Sequence, residues 1–273
     1  MSAIDSILKP TLPEELYHYT SPAGLLGIVK SRSIWASNIH YLNDEQEFAF
    51  GLAVVRDVIA RYDSAHDLEV LDQLMTTLDT IARTTVFVAS FSEIDDLLSQ
   101  WRGYCPNGKG VSIGFRSKDL NAASQVQHFR LVRVAYDRQV AELVATELVE
   151  KSLRMRQEDQ TIEPIAVAEF FAFQLSLIAP ALKHESFSEE REWRIVSPLI
   201  PSQRSQVGVR ETAGRLVPYF DFKLTERRHL RLGRVRVGPA SDRTRALAGT
   251  TETLEIYEVA VREVLPSSIP YRE

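Results

Sequence analysis

Strand-like and helix-like patterns in this chain come in blocks, not in the regular strand–helix–strand alternation that builds a parallel sheet. Residues 16–20, 33–37 and 84–91 are rich in β-branched and aromatic side chains and read as strands. Ser21-Pro22 reads as a helix N-cap with proline at the first helical position, and Leu25, Leu26, Ile28 and Val29 would form the buried side. Asn43-Asp44 is placed to cap a helix in which Phe48, Leu52, Val55 and Ile59 recur at helical spacing; Leu68, Leu71, Met75 and Leu78 repeat the pattern. Residues 106–110 are a dense turn signal. Beyond it, 111–115 and 129–136 alternate like strands, and 138–156 and 163–179 read as helices. Further strands are expected at 192–196, 216–222, 230–237 and 254–261. This ordering predicts an α+β fold with antiparallel sheets and helices to one side. Residues 1–273 show no dividing linker, so one domain is expected, with a helical insertion at about 138–182.

Composition narrows the function classes. Cys105 is the one cysteine, so no intramolecular disulfide forms and a reducing compartment is expected. No unbroken apolar run of membrane-spanning length occurs, and the N-terminus lacks a signal-peptide pattern; the expectation is a cytoplasmic chain without membrane contact. The net charge of −5 argues against a general nucleic-acid coat, but it is unevenly spread. Residues 223–245 carry eight basic side chains against two acidic ones. They would face phosphates, or form the wet face of a strand paired with acidic neighbours. None of His18, His40, His66, His128, His184 and His229 forms a metal-binding pair by spacing. Phosphate loops of the P-loop or Rossmann kind and the G-x-S-x-G elbow are also missing.

Three polar clusters carry the chemical information. In Tyr17-His18-Tyr19-Thr20, His18 and Thr20 share one strand face, where they would hydrogen-bond a ligand or be satisfied by neighbouring loops. In residues 89–110, Ser90 and Ser92 point the same way. Trp101 and Tyr104 share a helical face that would stack on a flat ring or form a core pair, and Ser92 would support a ligand or cap the short helix. In residues 187–196, Glu190, Glu192 and Arg194 share a face opposite Trp193 and Ile195. A carboxylate beside a guanidinium is held ionised, to serve a ligand or to make a surface ion pair at a sheet edge.

Together these segments resemble the bacterial family called domain of unknown function 2971. The matching stretches are 16–20, 42–48 (Leu-Asn-Asp-Glu-Gln-Glu-Phe), 89–93, 97–104, 109–115 and 190–194, with Val237-Gly238-Pro239 and Ile269-Pro270-Tyr271-Arg272 towards the end. That family in turn resembles the ADP-ribosyltransferases, which implies split, mostly antiparallel sheets flanked by helices, and NAD as the cofactor. By this resemblance His18 would bind a ribose of NAD, with Tyr19 and Thr20 beside it. Ser90 and Ser92 would support the nicotinamide side, and Trp101 or Tyr104 would stack on the ring. Glu192 would bond the ribose hydroxyl and stabilise the cationic state as nicotinamide leaves. Glu190 would orient the acceptor, and Arg194 would belong to the same site.

The implied function is transfer of ADP-ribose from NAD to a protein or nucleic acid, as a bacterial toxin or phage-defence effector with an inhibitory antitoxin partner. Two alternatives stand beside it: a non-catalytic module binding a nucleotide or partner on the same fold, and a metal-dependent nuclease using Glu190, Glu192, Asp44 and an arginine.

Overall fold

The computed structural model describes residues 2–42, 46–62, 67–81, 84–105, 109–200, 205–212, 214–225, 229–239 and 242–270. The expected cap at Asn43-Asp44, the turn residues Pro106-Asn107-Gly108, and His66, Arg227, Arg228, Tyr271 and Arg272 lie outside them. In chain order the elements are α1 (Ala3–Leu8), β1 (Glu15–Thr20), α2 (Pro22–Ser31), β2 (Ser33–Asn38), α3 (Gln46–Ala60), α4 (Leu68–Ile81), β3 (Phe87–Ser92) and α5 (Leu98–Tyr104). They continue with β4 (Val111–Arg116), α6 (Ser117–Val126), β5 (Arg130–Arg133), α7 (Arg138–Glu158), α8 (Pro164–Ile178), β6 (Glu192–Val196), β7 (Val207–Thr212), β8 (Arg215–Lys223), β9 (Arg231–Val237), α9 (Arg243–Ile256) and β10 (Ala260–Pro266).

The described strands join in one open, largely antiparallel sheet, so the fold is α+β. Strand order is β10-β9-β4-β1-β3-β2-β8-β7, with β6 and β5 joined on through β3. The exception to antiparallel pairing is β9 with β10, which run parallel and are linked through α9.

β3 is where the sheet divides. One edge pairs with β6 along the strand, from Val88↔Val196 to Ser92↔Glu192. On the other edge β2 takes the beginning of β3, at Ser37↔Val88 and Asn38↔Phe87, and β1 takes the end, at Tyr17↔Ser92. β1 and β2 therefore diverge from a common neighbour. Between them the β3 edge at residues 89–91 has no partner among the described strands.

Two apolar layers cover the sheet. Val88, Val132 and Val196 pack into a cluster with α1, α3, α4, α7 and α8, where Phe48, Leu52, Val55 and Ile59 are buried as their spacing requires. Phe87, Ala89, Phe91, Leu131, Trp193 and Ile195 point the other way, towards Leu25, Ile28 and Val29 of α2, Leu120 of α6 and Leu254 of α9. Helices thus lie on both faces, correcting the expectation of one side. Ser21 caps α2 by accepting from the Gly24 N–H, with Pro22 following, but Leu26 turns outward.

Three further expectations change. Residues 254–261 are not a strand: Leu254–Ile256 closes α9, Glu258 turns the chain at φ 51°, and β10 starts at Ala260. Pro164–Ala181 does have the length and apolar content to cross a membrane, although Glu169 and Gln174 interrupt the run; 56% of it is buried, against α4 and α7. β6 is not an edge strand, since it lies between β3 and β5 with all five residues buried.

Candidate functional site

The charged stripe on β6 is therefore inside the protein. A buried carboxylate persists only when paired and hydrogen-bonded. Glu192, 4% exposed, meets that condition fully. Arg194 reaches it through Nε at 2.7 Å and its NH2 group at 2.8 Å, and Lys183 Nζ lies 3.2 Å away. Burial works against the charge, but Arg194 and Lys183 outweigh it and hold the carboxyl at about 2, with the Ser90 hydroxyl adding to the effect. Arg194 also donates to the Pro180 carbonyl.

Glu190 is placed differently. It ends a short 3-10 turn, Glu185–Glu190, and Arg191 then takes a left-handed conformation (φ 42°) before β6 begins. Glu190 is thus not on the strand face with Glu192, as alternation had suggested. Lys183 Nζ joins the two carboxylates nevertheless, at 2.7 Å from Glu190. The same ammonium lies 4.5 Å from the centre of the Phe187 ring.

At the sheet division, His18 occupies the space a strand partner would fill. Phe87 and Glu93 direct their main-chain groups at the β6 side, so Ser90 directs its own into the gap. His18 Nδ1 lies 2.9 Å from the Ser90 carbonyl oxygen. A carbonyl only accepts, so Nδ1 carries the hydrogen and Nε2 is left as an acceptor. Burial holds the imidazole below its ordinary value; the Ser90 bond opposes this and the Arg210 charge adds to it. His18 is neutral at pH 7.

A cavity of about 790 Å³ lies at this gap, lined by residues from both faces of the sheet and within the range of small-molecule sites. On one side it is lined by His18, Thr20 and the small residues Gly24 and Gly27 of α2; on the other by Tyr104, Lys183, Glu190, Arg194, Trp35 and Arg210. Among the described residues, the charged groups on this lining are three cations and one carboxylate, with Glu192 behind them.

The structure brings together His18, Tyr19, Thr20, Ser90, Tyr104, Glu190 and Arg194 on this lining. Tyr104 is 39% exposed; burial of its hydroxyl and the charges of Glu192 and Glu190 push its pKa well up. Trp101 is corrected to a core residue: it is fully buried, its Nε1 donates to Asp96, and its ring meets Tyr19 edge-on at 4.7 Å. The Tyr19 hydroxyl is used by the main chain, donating to Ile94 and accepting from Leu97. Ser92 is buried; its hydroxyl donates to the Glu190 carbonyl and accepts from the Ile94 N–H, and it does not cap α5. Cys105 is buried, and burial pushes its thiol up to about 12, away from the thiolate a nucleophile needs.

Sequence reasoning missed Lys183, Trp35, Ser37 and Arg210. Lys183 lies in an irregular segment after α8, and Arg210 on a strand that reads as a polar loop. The basic segment has a structural use in part: Arg234 pairs with Asp95 and Glu263, Arg236 with Asp95, and Lys223 with Asp221. Among the described residues no three His, Cys, Asp or Glu side chains converge as a metal site would require, and Asp44 lies outside them.

No curated protein and no solved structure matches the chain. The family model described as a protein of unknown function (DUF2971) matches residues 100–195, a stretch that includes Tyr104, Lys183, Glu190, Glu192 and Arg194. That match supports assigning the chain to the DUF2971 family.

Proposed function

We propose that the cavity at the sheet division binds NAD and that the protein transfers its ADP-ribose to a macromolecular acceptor. The observation that carries this reading is that His18 and Glu190, from opposite ends of the sequence pattern, line one cavity. The residues present suit the ligand. The cations on the lining suit a diphosphate, His18 Nε2 suits a ribose hydroxyl, and the exposed Tyr104 ring suits a flat heterocycle. When bound, NAD supplies a ribosyl carbon whose bond to nicotinamide breaks with the electron pair leaving on the nicotinamide nitrogen.

The chain's own residues divide the remaining tasks. Lys183 holds the Glu190 carboxylate at the cavity wall through an ion pair. There it accepts a hydroxyl hydrogen bond and stabilises positive charge developing on the sugar. Glu192 positions Arg194 and Lys183 and does not itself reach the ligand, which exchanges the roles the family resemblance implies for the two glutamates. Release of nicotinamide from NAD tests the reading. Wild type is expected to release it, and Glu190→Gln to slow release by about a hundredfold or more. If wild type neither releases nicotinamide nor labels any lysate protein or nucleic acid, the reading fails.

A second reading, a non-catalytic nucleotide-binding module, is favoured by one observation: both Glu192 oxygens are held in buried ion pairs. It predicts stabilisation by about 2.7 kcal/mol at a hundredfold excess of nucleotide over its Kd, without nicotinamide release.

A further inference from the structure

The β7–β8 hairpin contributes a cation that no described carboxylate neutralises. Arg210, on β7, reaches over β8 towards β2, where its NH2 group donates to Ser37 Oγ at 2.9 Å. The guanidinium lies 5.4 Å from the centre of the Trp35 ring, whose other neighbour is Tyr219 at 4.6 Å. An added Cβ at Gly208 would stand 2.8 Å from the Tyr219 ring, so glycine there lets that ring lie under β7. Arg210 thus lies over an aromatic support at the cavity wall.

Its charge is uncompensated. The other described arginines withheld from solvent each pair with a carboxylate: Arg156 with Glu69, Arg194 with Glu192, Arg234 with Asp95 and Glu263, and Arg236 with Asp95. No described carboxylate pairs with Arg210, and its Nε is buried without a hydrogen-bond partner. Desolvation lowers its pKa, the opposite of the rise at Arg234, where two carboxylates offset burial. A half-buried guanidinium, set over an aromatic ring and facing a cavity, is unfavourable alone and favourable with an anion.

We infer that Arg210, with Ser37 beside it, holds a phosphoryl oxyanion of the cavity's ligand. This deepens the NAD reading by assigning the ligand's phosphate end, and it rests on that reading only for the choice of dinucleotide. The shared chemistry is a phosphate oxygen, from either a bridging diphosphate or a terminal monophosphate. The experiment is calorimetric titration of wild type, Arg210→Gln and Arg210→Lys with inorganic pyrophosphate, AMP, NAD and adenosine. Wild type is expected to bind at least one phosphate-bearing probe, and Arg210→Gln to weaken that binding about tenfold to a hundredfold. Arg210→Lys should fall between them, and adenosine should not distinguish the three proteins.

Dependence of NAD and pyrophosphate but not AMP on Arg210 assigns a diphosphate; dependence of AMP assigns a monophosphate. Equal binding by wild type and a folded Arg210→Gln overturns the inference, and so does failure of wild type to bind any phosphate-bearing probe. Melting temperatures of the variants separate this from a purely structural role, which lowers Tm without changing affinity. Wild type that binds NAD through Arg210 but releases no nicotinamide ends the transferase reading and leaves this inference standing.

Discussion

Arg191 stands between Glu190 and Glu192 with φ 42° and ψ 53°, and that left-handed turn decides what each carboxylate can do. Glu192 enters β6 and is sealed against Arg194 and Lys183; Glu190 stays on the turn at the cavity wall. Removing the inner charge leaves two buried cations short of their partner, so Glu192→Gln should destabilise the fold by about 3–5 kcal/mol. Glu190→Gln leaves Lys183 its contact with Glu192 and should cost less, about 1.5–3 kcal/mol. Urea denaturation of both variants checks the contrast. pH dependence carries the same signature. The Glu192 carboxyl is held at about 2, below its ordinary 4.5. Its stabilisation is complete above about 4.5 and is lost as pH falls towards 2. His18, also depressed, is stabilising when neutral. Its contribution is present above its ordinary 6.5 and is lost below it, because the unfolded chain takes the proton first. The urea midpoint should fall between pH 7 and 5, and His18→Gln should flatten that part of the curve. Alternation of charged and apolar side chains made Glu192 and Arg194 legible in sequence. It was silent on Lys183 and Arg210, whose partners are set by chain crossings between distant segments.

At the level of elements, α2 carries two glycines with opposite reasons. A Cβ on Gly24 would collide with Thr20 Oγ1, so Gly24 lets the helix lie close on β1. A Cβ on Gly27 would meet nothing within 4 Å, and Gly103 of α5 is the same; both line the cavity. Glycine inside a helix costs about 0.5–1 kcal/mol relative to alanine, and here no packing contact compensates for it. Gly27→Ala should therefore stabilise the protein by about that amount, while Gly24→Ala should destabilise it by about 1–3 kcal/mol through overpacking. Gly27→Leu should leave the fold intact and weaken ligand binding by filling the cavity. Thermal melts with and without NAD measure all three. α3 and α4 are legible because apolar side chains recur at helical spacing, and α8 because its run is long and apolar on most sides. α6 is not legible because Leu120 is its lone large buried apolar side chain, nor is β7, none of whose residues is buried. The last strand was misplaced because Leu254, Ile256, Val259 and Val261 alternate across a helix end, which periodicity alone does not reveal.

For the whole molecule, the governing feature is that β1 and β2 share β3 and then part. Side-chain patterning places residues on faces but carries no information about which strands pair, so the open edge at Ser90 is invisible until register is known. The polar clusters themselves were legible: His18, Ser90 and Glu190 all reach the one cavity that the division creates. The first hundred residues carry 15 acidic side chains against 6 basic ones, and two of the acidic ones have a use at this scale. Asp95 and Asp96 bind Arg236 and the segment at Ser267-Ser268, tying the C-terminal strands to the turn that precedes α5. On the proposed reading, this opening is where NAD enters and reacts, and a crystal structure of Glu190→Gln with intact NAD is the decisive test. Density is expected through the gap between β1 and β2, with a ribose hydroxyl on His18 Nε2 and the nicotinamide ribose beside residue 190. Saturating NAD that leaves the gap empty, or binds anywhere else, would contradict it.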